Sequence, residues 1–89
     1  MARALAEGDA VKRLRFEVRK TDDGAWGFYA GKECVGSRAH KSDMVWLAAF
    51  NLTSAWENLR IRSELVIKDR KGRVQDTRTY GDDPRRTKG

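Results

Sequence analysis

SDMVWLAAFNLTSAWENL, residues Ser42 to Leu59, is the stretch on which the reading of this 89-residue chain turns. It is the one segment long and periodic enough to be read as a helix by itself. Ser42 offers a hydroxyl to an unpaired first-turn N–H, and Asp43 sets a negative charge at the positive end of the helix dipole. At about 100° per residue, Val45, Ala49, Leu52, Trp56 and Leu59 form one stripe, flanked by Met44, Ala48 and Ala55. That stripe is expected to face a core, with Leu52 and Trp56 buried. Trp46, Leu47 and Phe50 fall on the far side with Asp43, Thr53, Ser54 and Glu57, where a helix on a one-layer domain is ordinarily polar.

The segments on either side alternate instead. In RLRFEVRK (13–20), Leu14, Phe16 and Val18 point one way, and Arg13, Arg15, Glu17 and Arg19 the other, which predicts a strand with one basic face. Thr21-Asp22-Asp23-Gly24 reads as a turn. AWGFYA (25–30) reads as a second strand, with Trp26 and Phe28 inward and Tyr29 on the wet face. Gly31-Lys32 turns the chain into a weaker third strand, Glu33 to Arg38. After the helix, ELVIKD (64–69) places Leu65 and Ile67 inward and Glu64, Val66 and Lys68 outward. Arg70-Lys71-Gly72 is a hairpin turn, and Arg73 to Tyr80 returns.

The predicted order is β-β-β-α-β-β. This is an α+β domain over residues 13–80, with an antiparallel sheet of about five strands and the helix on one face. Leu14, Phe16, Trp26, Phe28, Leu65 and Ile67 would lie under the helix. Residues 1–12 read as a flexible arm, and 81–89, which hold the single proline and no apolar residue, as a flexible tail.

Composition narrows the function classes. Hydrophobic residues make up 39% and charged residues 36%, as in a small domain with a large wet surface. No apolar run approaches the roughly 18 residues that span a bilayer, and no secretory signal is visible. A single cysteine, Cys34, cannot form an internal disulfide, which favours the cytoplasm. The helix at 42–59 holds Asp43 and Glu57 and no Lys or Arg, so of the net charge of +6 the remaining residues carry +8. A basic surplus of this kind fits a nucleic-acid partner and also a merely solvated surface.

The C-terminal third, ELVIKDRKGRVQDTRTYGDDP, resembles the closing signature of a small bacterial and phage family, the domain-of-unknown-function family numbered 2188. The matching residues are Glu64-Leu65-Val66-Ile67, Gly72-Arg73-Val74 and Tyr80-Gly81-Asp82-Asp83-Pro84, and Gly24-Ala25-Trp26 is similar to the family's Gly-Trp opening strand. The resemblance covers roughly residues 13–84 and implies a small prokaryotic or phage protein. It implies no activity, cofactor or catalytic residue. The family's helix is usually Ala-rich and charged, so Met44, Trp46, Leu47 and Phe50 suggest an interface particular to this chain.

The residues offer little for catalysis. His40 stands alone in a polar linker beside Lys41, Cys34 reads as a small half-buried hydrophobe, and no Gly-rich loop precedes a helix. No metal, cofactor or small-molecule substrate is expected. The chain reads as a non-enzymatic binding module with two partner classes open. One is a protein, through a homodimer or a different partner, engaged by Trp46, Leu47, Phe50, Thr53 and Ser54 on the outer helix face. The other is DNA or RNA, engaged by Arg13, Arg15, Arg19, Tyr29 and Lys68 on the open sheet face and by Arg70, Lys71 and Arg73 at the last hairpin.

Overall fold

The alternation between 14 and 20 does produce a strand, β1 (Leu14–Lys20), and two tight turns lay β2 (Trp26–Ala30) and β3 (Glu33–Arg38) alongside it. The computed structural model describes residues 12–81; of the expected arm and tail, only Lys12 and Gly81 lie within them. In the first turn the Gly24 N–H donates to the Thr21 carbonyl at 3.1 Å, and the Ala25 N–H to Thr21 Oγ1 at 3.0 Å. Gly24 adopts φ 91°, a left-handed value that a Cβ would strain. α1 (Lys41–Leu59) then crosses the sheet, and β4 (Ser63–Lys68) and β5 (Val74–Tyr80) form a second hairpin.

Across the sheet the strands run β3-β2-β1-β4-β5. The expectation of a wholly antiparallel sheet fails at its centre. β1 and β4 are parallel, with Phe16 opposite Leu65 and Val18 opposite Ile67, so the sheet is mixed. The helix is the reason. The meander ends on the edge strand β3, and α1 carries the chain back along the sheet, so β4 starts at the same end as β1 and lies on its free side.

Met44, Ala48 and Leu52 of α1 are buried against Val18, Trp26, Phe28, Leu65 and Ile67. The helix is therefore turned by roughly 60° from the expected stripe. Its closest approach falls on the small Ala48, while Val45 and Leu47 pack against the two margins of the core. Leu59, expected inward, is 68% exposed. Trp56 is half-buried and outside the core cluster. Its ring lies over Gly81, where an added Cβ would come within 2.7 Å of Trp56 Cε3. The Arg60 and Arg62 guanidinium carbons stand 4.9 and 5.6 Å from the ring centre. Leu14, also expected inside, is 55% exposed. It pairs with Ser63 of β4 but has no partner in β2, whose register with β1 begins at Phe16.

The helix ends also differ from expectation. His40, not Ser42, is the N-cap residue, and no side chain bonds the first-turn N–H groups. Ser42 lies inside the first turn, while Asp43 keeps its favourable place near the dipole's positive end. At the other end Arg60 takes the left-handed conformation at φ 56° and ψ 36°. There the Arg60 N–H donates to the Trp56 carbonyl at 3.0 Å, and the Ile61 N–H to that of Ala55 at 3.2 Å.

This orientation fixes which truncations matter. Met44→Ala and Leu52→Ala should each cost ~2–5 kcal/mol in urea denaturation, whereas Leu14→Ala should cost about 1 kcal/mol or less because half of the side chain already meets water. Equal losses at Leu14 and Leu52 would show that the helix does not lie as described.

Candidate functional site

The outer face of α1 carries the first candidate. Trp46 and Phe50 are 67% and 55% exposed, and as an i, i+4 pair they meet on the helix surface. Their rings stack at a centroid distance of 5.6 Å with planes 6° apart. Thr53 is exposed beside them, and Glu57 and Asp43 extend the polar margin on the same face. The structure separates the other two residues expected here. Leu47 packs against the core, and Ser54 is half-buried on the helix flank. Between α1 and β5 runs an open groove of about 800 Å³, walled by Val45, Trp46 and Ala49 on one side and by Ile67, Asp76 and Arg78 on the other.

The open face of the sheet carries the second candidate. Strand alternation brings Arg15, Glu17 and Arg19 of β1 beside Tyr29 of β2 and Val66 and Lys68 of β4. Glu17 is the centre of the group. Its carboxylate lies 3.6 Å from Arg15, 3.8 Å from Arg19 and 3.4 Å from Lys68. Three cations thus share one carboxylate, and with Glu64 in register beside Arg15 the face keeps one positive charge. The Arg19 guanidinium also stacks on the Tyr29 ring, 3.9 Å from its centroid, so one ring face is taken by a cation within the protein. Tyr29 in turn lies across Gly27, where an added Cβ would be 2.7 Å from Tyr29 Cε1 and 3.1 Å from Cys34 Sγ. Val66 points to this face as expected but is only 3% exposed, so the middle of the face is closed over rather than wet.

The remaining basic residues do not join this cluster. Arg13 Nη1 donates to the Tyr80 carbonyl at 2.9 Å, which ties the start of β1 to the end of β5. Arg73 Nε donates to Asp69 Oδ2 at 3.2 Å, and Asp69 Oδ1 accepts from the Lys71 and Arg73 backbone N–H groups at 2.9 Å each. The Arg73 N–H bond leads among the causes that hold the Asp69 carboxyl below its ordinary range. Asp69 therefore organises the last hairpin and takes up part of its charge. Lys71 is exposed at the tip of that hairpin. Arg70 borders a hollow of about 540 Å³ together with Lys20, His40 and Lys41. Lys41 is occupied there, bonding Gln75 and lying 4.9 Å from the centre of the Trp26 ring.

Sequence reasoning does not group Lys20, His40 and Lys41 with Arg70. The signal is present, since Lys20 follows the last inward residue of β1 and Arg70 follows the end of β4, and parallel strands finish at the same end of a sheet. It has no use while β1 and β4 are taken as antiparallel. Cys34, expected half-buried, is exposed, and its Sγ donates to the Gly36 carbonyl at 3.3 Å. Among the described residues no cluster of three or more His, Cys, Asp or Glu side chains is placed to hold a metal ion, and no helix is long and apolar enough to cross a membrane. No protein-family model, curated protein or solved structure matches the chain.

Tyr29 reports on the open face. Desolvation is the largest cause raising its pKa above the ordinary value of 10.0. The protonated phenol is thus favoured by the fold. Its contribution to stability is complete below the unfolded pKa of about 10 and is lost as pH rises through the higher folded value. Gly27→Ala should push the ring away from the sheet and bring its titration, followed by ultraviolet absorbance, down toward about 10. An unchanged titration would mean that the ring does not lie over Gly27.

Proposed function

We propose that this protein is a binding module that engages another protein through the outer face of α1, with the Trp46–Phe50 pair at the centre of contact. The reading is carried by the exposure of two large stacked aromatic rings on the side of the helix turned away from its own core. Isolated apolar residues on a surface are ordinary; adjacent Trp and Phe rings, already held in one geometry, have the character of interface anchors. Stacking reduces the side-chain entropy lost when a partner closes over them. Thr53, Glu57 and Asp43 supply the polar rim that such contacts usually have. The reading includes no catalytic step and no cofactor. The exposed thiol of Cys34 fits a reducing cytoplasm.

Trp46→Lys should leave the cooperative melt unchanged and abolish self-association or partner binding. Light scattering of the wild type and the variant over a wide concentration range checks this. A wild type that scatters as a monomer throughout, and that captures no protein lost by the variant, would remove the reading.

A second reading rests on the cluster around Glu17, whose three cations leave an unbalanced positive charge beside Tyr29. Such a face could follow a phosphate backbone, with Tyr29 offering at most one ring face for stacking. Replacing Arg15, Arg19 and Lys68 together by Gln should then weaken DNA or RNA binding with little change in folding, and should flatten the salt dependence of the affinity. Absence of any gel retardation at low salt would eliminate this second reading.

A further inference from the structure

Resting on the reading of α1 as a protein-contact face, we infer that the partner is a second copy of this chain, and that the two copies join edge to edge through β5 in antiparallel register about Thr77. β5 is an edge strand with β4 on one side only. From Val74 to Arg78 every residue is exposed, and the Thr77 N–H donates to Asp76 Oδ1 at 2.9 Å, so pairing about Thr77 requires the Asp76 carboxylate to leave that N–H for Arg78 of the second copy. Edge strands are usually guarded by charge. Here the charges are Asp76 and Arg78: an axis at either one sets like charges opposite, and an axis at Thr77 sets each opposite the other.

The argument is one of symmetry. In a two-fold antiparallel pair, residues directly opposite must share a face of the sheet, so the axis has to pass through a residue and not between two. With Thr77 on the axis, Asp76 of each copy faces Arg78 of the other, and the regular ladder ends there because Gln75 is bulged out of the pairing with β4. Both ion pairs form at once. Within one copy Arg78 Nε already reaches Asp76 Oδ2 at 3.2 Å along the strand. Across strands the two side chains would stand directly opposite, about 5 Å apart at Cβ. The other edge, β3, does not offer this. Its charges, Glu33 and Arg38, share a face but stand on either side of a bulge at Val35, so no unbroken two-fold ladder sets one against the other.

The helices agree with this arrangement. α1 contacts all five strands of its own sheet. With strands about 4.8 Å apart, two such helices over a joined ten-stranded sheet would stand roughly 24 Å apart. Each helix is about 10–12 Å across, which leaves a trough roughly 12 Å wide above the β5–β5 seam. The groove beside β5 becomes half of that trough, and Trp46 forms its wall. A second copy would thus set its own Trp46 on the opposite wall of the trough, so the β5 seam lies directly beside the exposed aromatics.

Charge exchange tests the register. The wild type should scatter at twice its 10.2 kDa mass. Asp76→Lys and Arg78→Asp should each scatter as monomers, because each places like charges opposite. An equimolar mixture of the two variants should recover the doubled mass as a heterodimer, since every opposed pair is then attractive. Thr77→Cys in a Cys34→Ser background gives a second readout. The two introduced thiols, one from each copy, meet on the axis and should form an intermolecular disulfide with oxidised glutathione. If both charge variants remain dimers while Trp46→Lys is a monomer, the β5 register is wrong and the helix interface stands. If the wild type is a monomer and Thr77→Cys does not cross-link, the second copy is excluded, and the helix face is left to a different protein.

Discussion

The contact of Ala48 with the sheet is the constraint on which the rest depends. A small residue at the middle of α1 allows the helix to lie close to the sheet, and Met44 and Leu52, one turn to either side, reach down beside Val18 and Leu65. Once the helix lies there, it spans the sheet in the direction opposite to β1. The next strand must then start at the same end as β1 and fill its open side. The parallel pair at the centre of the sheet is a consequence of the crossover, and the crossover is held by this narrow apolar seam.

The same seam determines what the helix shows to solvent. A rotation of about 60° moves Leu47 toward the core and Trp56 away from it, yet it leaves Trp46 and Phe50 outside in either orientation. Their exposure therefore does not depend on fine packing. The open face of the sheet is different. Its basic residues lie where alternation puts them, but Glu17 draws Arg15, Arg19 and Lys68 inward, and Arg19 covers one face of Tyr29. The charge there is partly satisfied within the protein, while the aromatic pair on the helix is satisfied by nothing among the described residues.

Much of this was legible in the residues. Period-two alternation in RLRFEVRK and ELVIKD located β1 and β4 and the faces of their side chains, and glycines at 24, 31 and 72 located the turns. What could not be read was anything requiring two distant segments at once. Strand polarity at the centre depends on where the crossover lands, and the alternation of either strand is the same for both directions. The burial of Trp56 was overestimated because a helical wheel treats all apolar residues alike, whereas this indole sits near the helix end against Gly81 and two arginines. Leu14 and Val66 went astray for the same reason. The first lacks a β2 neighbour, and the second is roofed by side chains that come together only in the folded sheet. Of the residues expected to form sites, Trp46 and Phe50 lie together and exposed, and the basic set divides into three places because its members come from strands whose ends alternation alone does not match.

Arg13 has a wider effect than its hydrogen bonds to the Tyr80 and Ser63 carbonyls suggest. Its guanidinium holds the Tyr80 carbonyl, and the Leu14 N–H holds the Arg62 carbonyl, so β1 begins beside the point where β5 stops. The fold opens and closes at one corner. A join between these two points would need only a short linker, and the Gly31-Lys32 turn is short and exposed enough to be cut instead. The order in which the strands occur along the chain is thus one of several that this sheet and helix would tolerate. What must be preserved is the single helical return over the sheet, because that passage alone has no short substitute.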